Sequence, residues 1–164
     1  MSSKISGASN DVIIKNLIDL INGQNAHAGL DKALSNLTVD IAGAIPQNLP
    51  YSIWQLMEHI RIAQWDILEF SKNAEHKSPK WPDEYWPKER QPLNKAALTK
   101  SIDQIKSDRK EFLKLLEAPG ADIYEPFSHG DGQNLLREAL VLADHNSYHT
   151  GEIIIVRRLL NDWD

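Results

Sequence analysis

The sequence predicts an all-α protein, a helical bundle in one domain. Apolar residues recur at intervals of three and four through five runs, the spacing that places them on one face of a helix. No run shows the apolar/polar alternation of a half-buried strand. Clusters of proline and glycine stand between the runs and mark loops. A chain of 164 residues is one ordinary domain in size, large enough to bury a core without staples. Residues 1–10, Ser-rich and short, read as a flexible N-terminus and 11–164 as the domain.

The first helix is expected over residues 11–22, with Asn10 as its N-cap and Asn22-Gly23 as its end. A small polar loop to Gly29 follows and holds His27. The next helix is expected over 31–43, with Leu30, Ala33, Leu34, Leu37 and Ile41 on one face, before a turn bracketed by Pro46 and Pro50. Ser52 and Gln55 have the spacing of a capping box and open a helix over 52–71, whose stripe reads Leu56, His59, Ala63, Asp66 and Phe70. Residues 71–92 form the longest irregular stretch. Four prolines there forbid a continuous helix, and Trp81, Tyr85 and Trp86 must pack against something or stay wet. The plain reading is a crossover loop pinned to the bundle by its tryptophans; the functional one is a lid or wall of a pocket.

A long helix over 93–117 carries Leu98, Ile102, Ile105, Phe112 and Leu116 along its seam, interrupted by Arg109, and closes at Pro119-Gly120. Phe127-Ser128-His129-Gly130-Asp131-Gly132 then reads as a tight turn into the last helix, expected over 134–160. Its seam is Leu135, Ala139, Leu142, Asn146, His149, Ile153, Val156 and Leu160. The bundle is expected from 31–43, 52–71, 93–117 and 134–160, with 11–22 as an additional N-terminal helix and long crossover loops between.

Asn146 and His149 stand in the middle of a core face, where a polar side chain costs free energy unless it is paired. His145 and His149, four residues apart, lie about 40° apart around the helix and one turn along it, so both imidazoles can reach one small ion. Chance produces this spacing easily. His59, projecting from the apolar stripe of another helix, offers the third ligand, and His59, His145 and His149 are the expected metal site. Glu152 is the candidate catalytic residue: one turn on, it can ligate, orient a histidine or move a proton, with an exposed carboxylate as the plain alternative. Asp66 reads either as a partner behind the site or as a charge pairing with a neighbouring helix. Asn146 or Asp144 is expected to support the site by hydrogen bonding. His27 and His129 are loop residues whose reach into the pocket is open, and His76 reads as solvated.

With no cysteine there is no disulfide, no thiolate nucleophile and no zinc-thiolate site, so a metal must be held by nitrogen and oxygen. A net charge of −5 without a basic block argues against nucleic acid. No segment has the length and apolarity of a bilayer span and no leader is evident, so a cytoplasmic protein that binds no membrane is expected.

Three segments together resemble a known family: Pro50-Tyr51-Ser52-Ile53-Trp54-Gln55-Leu56-Met57-Glu58-His59-Ile60, then Ala63-Gln64-Trp65-Asp66-Ile67, then Asp144-His145-Asn146-Ser147-Tyr148-His149-Thr150-Gly151-Glu152-Ile153. Their order and spacing, which take in most of the chain from about residue 10 onward, resemble the DinB-like superfamily of metal-binding four-helix bundles, also called YfiT-like metal-dependent hydrolases. The resemblance implies that His59, His145 and His149 are the ligands. Glutamine is frequent in the family where this chain has Glu152, so a carboxylate beside the metal distinguishes it. Relatives include thiol-dependent transferases and isomerases. The family's name refers to DNA-damage induction, which describes expression and implies no DNA binding.

Three neutral imidazoles leave an ion its full charge and an open position, an arrangement of the catalytic type. The expected function is a metal-dependent, thiol-dependent transferase or hydrolase acting on a small molecule. Zinc is the first ion expected, and imidazole also accepts nickel, iron and manganese. The alternatives are a metal-binding or sensing module without turnover and a bundle with a purely structural metal. Expected partners are the small-molecule substrate, with a low-molecular-weight thiol as candidate cosubstrate, and a second copy of the chain in a candidate homodimer.

Overall fold

In the computed structural model, the Ser52 side chain accepts the Gln55 N–H and the Gln55 side chain accepts the Ser52 N–H, so the expected capping box closes and a helix begins at Ile53. The structure describes residues 7–23 and 26–163, the side chains of 7–9 excepted. It is helical: α1 (Gly7–Ile21), α2 (Leu30–Ala33), α3 (Val39–Gly43), α4 (Ile53–Lys72), α5 (Lys95–Leu116) and α6 (Leu135–Leu159), with one 3-10 turn at Asp83–Tyr85. No strand occurs among the described residues, which hold only an isolated bridge between Pro126 and Asn134. No described helix is long and apolar enough to cross a membrane. Asn94 and Asn134 cap α5 and α6, their side chains accepting the N–H of Ala97 and Arg137.

Two expectations about the first third are corrected. Helix α1 begins at Gly7, so Asn10 lies inside it and does not cap it; residues 1–6 of the expected N-terminal arm lie outside the described residues. The helix expected over 31–43 is two short ones. Asn36 takes a left-handed φ of 56°, and Thr38 starts α3 by accepting the Ile41 N–H. Arg157 of α6 makes the break tolerable: its Nη1 donates to the carbonyls of Ala33 (2.7 Å) and Ser35 (2.9 Å), which a continuous helix would otherwise satisfy. The long helices are therefore α1, α4, α5 and α6, and the N-terminal helix is one of the bundle's four.

Buried apolar residues form two clusters. Ile53, Leu56, Ile60, Leu98, Ile105, Ile153 and Val156 belong to the first, with α2 and α3 packed on it. Leu17, Leu68, Phe112, Leu116, Leu135 and Leu142 belong to the second. Along α4 and α6 the stretch between these clusters is polar: His59, Gln64, Asn146, His149 and Thr150 are all buried. Gln64 Nε2 donates to the Ile105 carbonyl (2.6 Å), and Asn146 Nδ2 donates to Gln64 Oε1 (3.0 Å). An unpaired buried amide costs about 1–3 kcal/mol, so this chain of hydrogen bonds is what lets α4, α5 and α6 carry a polar layer at mid-height. Asn146, expected to support the metal site, donates its Nδ2 to Gln64 and keeps its Oδ1 beside His145, where it favours the protonated imidazole; Asp144 is exposed.

Candidate metal centre

His59 stands near the middle of α4 and His145 and His149 on the facing side of α6. The packing of α4 on α6 brings the three together: one ring nitrogen of each lies within 4.8 Å of the other two. His59 Nε2 and His145 Nε2 are 3.0 Å apart. Tetrahedral ligation at about 2.0–2.1 Å puts ligand nitrogens about 3.4 Å apart, so small side-chain adjustments suffice to admit an ion.

The partners of the second ring nitrogens decide which atoms face the centre. His59 Nδ1 lies 2.9 Å from the Tyr85 carbonyl oxygen, which can only accept, so the proton sits on Nδ1 and Nε2 keeps its lone pair. His149 Nδ1 donates in the same way to Glu152 Oε2 at 2.6 Å. Two lone-pair nitrogens are thus presented inward. His145 differs: its Nδ1 is buried without a partner, and Nε2 faces His59. Burial lowers the pKa of His59 and, aided by His149 and His59, lowers that of His145 to about 4. Both are neutral at pH 7, the form that ligates.

Behind the histidines lies a layer that sequence reasoning identified only in part. Glu152 accepts from His149 through one oxygen and from the Tyr51 hydroxyl through the other, at 2.6 Å each. This bond to Glu152, more than burial, raises the Tyr51 pKa to about 12. The Trp86 ring stacks on His59 at 4.0 Å with planes 3° apart, and Tyr51 stacks on Trp86 in turn. Asp66 is buried and accepts from Tyr85 Oη (2.6 Å) and His76 Nε2 (2.8 Å). Asp66 therefore acts on the site at one remove, by fastening the segment whose Tyr85 carbonyl orients His59. His76, expected to be solvated, is instead packed against Trp65 and tied to Asp66. The cluster of aromatics among prolines was the available signal for Trp86; the role of the Tyr85 carbonyl left none, because a backbone group has no sequence identity.

The irregular stretch is both things weighed for it. Asp66 pins its middle, and the Ser52 hydroxyl donates to the Arg90 carbonyl at its end. It is also a wall: Trp81, Tyr85 and Trp86 line a cavity of about 460 Å³ together with Val141, Tyr148 and all three histidines. A larger groove of about 1150 Å³ runs between α4 and α5 past Trp54 and Lys100, but no histidine reaches it. His27 bonds Ser147 and the Ala28 carbonyl, away from this centre, and His129 donates to the Phe70 carbonyl at the end of α4 between the rings of Phe70 and Phe127. Neither reaches the centre. The tight turn around His129 is present, with Gly130 and Gly132 at φ of 78° and 89°.

The family model described as the DinB superfamily matches residues 24–153. The chain belongs to the DinB superfamily. Comparison with curated proteins and with solved structures finds no match. The matched range of this DinB-superfamily chain includes the three histidines, the aromatic wall and Glu152.

Because Asp66 accepts from both His76 and Tyr85, Asp66→Ala takes the acceptor from two half-buried donors. It is expected to cost about 1–3 kcal/mol of stability. It should also weaken divalent-metal binding by about tenfold, the lower end of what loss of an orienting contact costs. Thermal unfolding and a metal titration measure the two effects; unchanged metal affinity alongside lowered stability would separate the wall from the centre.

Proposed function

We propose that this DinB-superfamily protein is a metal-dependent enzyme acting on a small molecule, either a transferase that uses a thiol or a hydrolase, through an ion held by His59, His145 and His149. The observation that carries the reading is the convergence of three imidazoles on an accessible cavity, with two of them held by Tyr85 and Glu152 in the tautomer that ligates through Nε2. Zinc is the first choice, and nickel, iron and manganese suit the same donors. Bound there, such an ion supplies Lewis acidity that brings the pKa of ligated water or thiol toward neutrality.

The protein's own groups have separable roles in this reading. Glu152 keeps the proton on His149 Nδ1 and does not line the cavity; a proton passing between Glu152 and a substrate would travel by way of His149. Trp81, Trp86 and Tyr148 offer an aromatic wall to a substrate body beside the ion. The reading of the metal as a structural clip would need a fourth protein ligand. Glu152 is committed to Tyr51 and His149, and His129 to the Phe70 carbonyl.

Protein purified without a His-tag should carry about one divalent ion per chain by elemental analysis. Screens of thiol conjugation, and of ester and amide hydrolysis without thiol, should then yield an activity that chelation abolishes and added metal restores. A thiol requirement marks the transferase, its absence the hydrolase. Activity persisting after complete, verified demetallation would defeat the proposal.

A further inference from the structure

We propose that the cavity over the three histidines selects apolar ligands, aromatic or aliphatic, carrying a single metal-binding head, and discriminates against hydrophilic ligands with several charges. This rests on the three-histidine reading and adds the ligand class. Its volume of about 460 Å³ falls within the range of about 300–1,000 Å³ that takes a drug-sized molecule. Beyond the histidines its surface is aromatic and aliphatic, with Trp81, Trp86 and Tyr148 around Ile67 and Val141. The charged lining residue is Asp66, and both its oxygens are already taken by His76 and Tyr85. That same bond occupies the Tyr85 hydroxyl. No lysine or arginine lines the cavity among the described residues.

A ligand with several carboxylates would surrender hydration on entering and find the ion as its one counter-charge, already engaged by the metal-binding head. An ammonium group would find only the doubly hydrogen-bonded Asp66, while an apolar body gives up no hydration of that kind. The rim adds to this preference. Trp81 is 71% exposed and Tyr148 65% exposed, two large rings on different elements that face the same cavity and remain in water until something apolar covers them.

The test uses the full chain loaded with Co(II), whose thiolate charge-transfer absorption reports a thiol binding at the ion and releasing its proton to solvent. Titrations with ethanethiol, butanethiol, 2-phenylethanethiol and glutathione should show affinity rising about fourfold per added methylene across the alkyl pair. By the desolvation argument, 2-phenylethanethiol should bind at least about tenfold tighter than glutathione. Trp81→Ala and Tyr148→Ala, both at exposed positions and so compatible with folding, should each weaken 2-phenylethanethiol by about fivefold, more than they weaken glutathione in the same Co(II)-loaded protein. Glutathione binding as tightly as 2-phenylethanethiol, or variants that lose nothing, would overturn the ligand class while the metal site stands. Failure of Co(II) to bind, or binding that survives His145→Ala, would instead overturn the three-histidine reading and this inference with it.

Discussion

His145→Ala is expected to abolish stoichiometric metal binding while leaving the helices intact. The variant removes one of three nitrogens, and two imidazoles alone cannot hold a divalent ion against a competing chelator at comparable concentration. Loss of a group that merely orients a ligand costs about 10–100-fold in affinity, so loss of a ligand should exceed that. His145 is the cleanest position for the experiment because it is half-buried and its Nδ1 has no partner to orphan. His59→Ala would also remove the bond to Tyr85 and the stack on Trp86 from a site only 2% exposed. Elemental analysis of untagged protein beside far-UV circular dichroism checks the result, and metal content equal to wild type would show the assignment wrong. His149→Ala should likewise remove activity with helical content nearly unchanged.

Glu152→Gln is expected to lower metal affinity by about 10–100-fold without eliminating it. The amide oxygen can still accept from His149 Nδ1, and the amide N–H₂ can donate to the Tyr51 oxygen, so the geometry survives and the negative charge does not. Loss of that charge reduces the basicity passed through the imidazole to Nε2. A second readout is independent of metal. The bond to Glu152 is the main cause holding Tyr51 up at about 12, so its ultraviolet ionisation should move to lower pH in the variant, toward the ordinary tyrosine value. Turnover measured at saturating metal separates the remaining roles: a lowered rate with metal retained marks Glu152 as a group that moves protons. Total loss of metal would mark it as a ligand, contrary to its placement behind His149.

The long helices and their faces were legible because each is a local matter. Ser52 and Gln55 sit three residues apart and cap α4 on their own; the seam of α6 needs only its own periodicity, and Leu135, Ala139, Leu142, Ile153 and Val156 are buried as that seam requires. The break between α2 and α3 was harder to read. Leu30, Ala33, Leu34, Leu37 and Ile41 keep helical spacing across it, and the turn depends on Arg157, more than a hundred residues later, taking the freed carbonyls. His76 was misread for a related reason, since the acceptor that buries it, Asp66, lies on a preceding helix with no sequence mark of the pairing.

The metal centre divides along the same line. Periodicity in the chain was enough to read the helices and to single out His59, His145 and His149 as residues able to meet, since a four-residue spacing in one helix and an imidazole in the apolar stripe of another are local features. Only the tertiary structure decided what those imidazoles present. The Tyr85 carbonyl and Glu152 select the nitrogen that His59 and His149 aim inward, Gln64 holds Asn146 beside the centre, and Asp66 fastens an irregular segment into an aromatic wall. Tautomer, orientation and the aromatic wall are properties of contacts between residues distant in the chain, and such contacts exist only once α4 and α6 have packed.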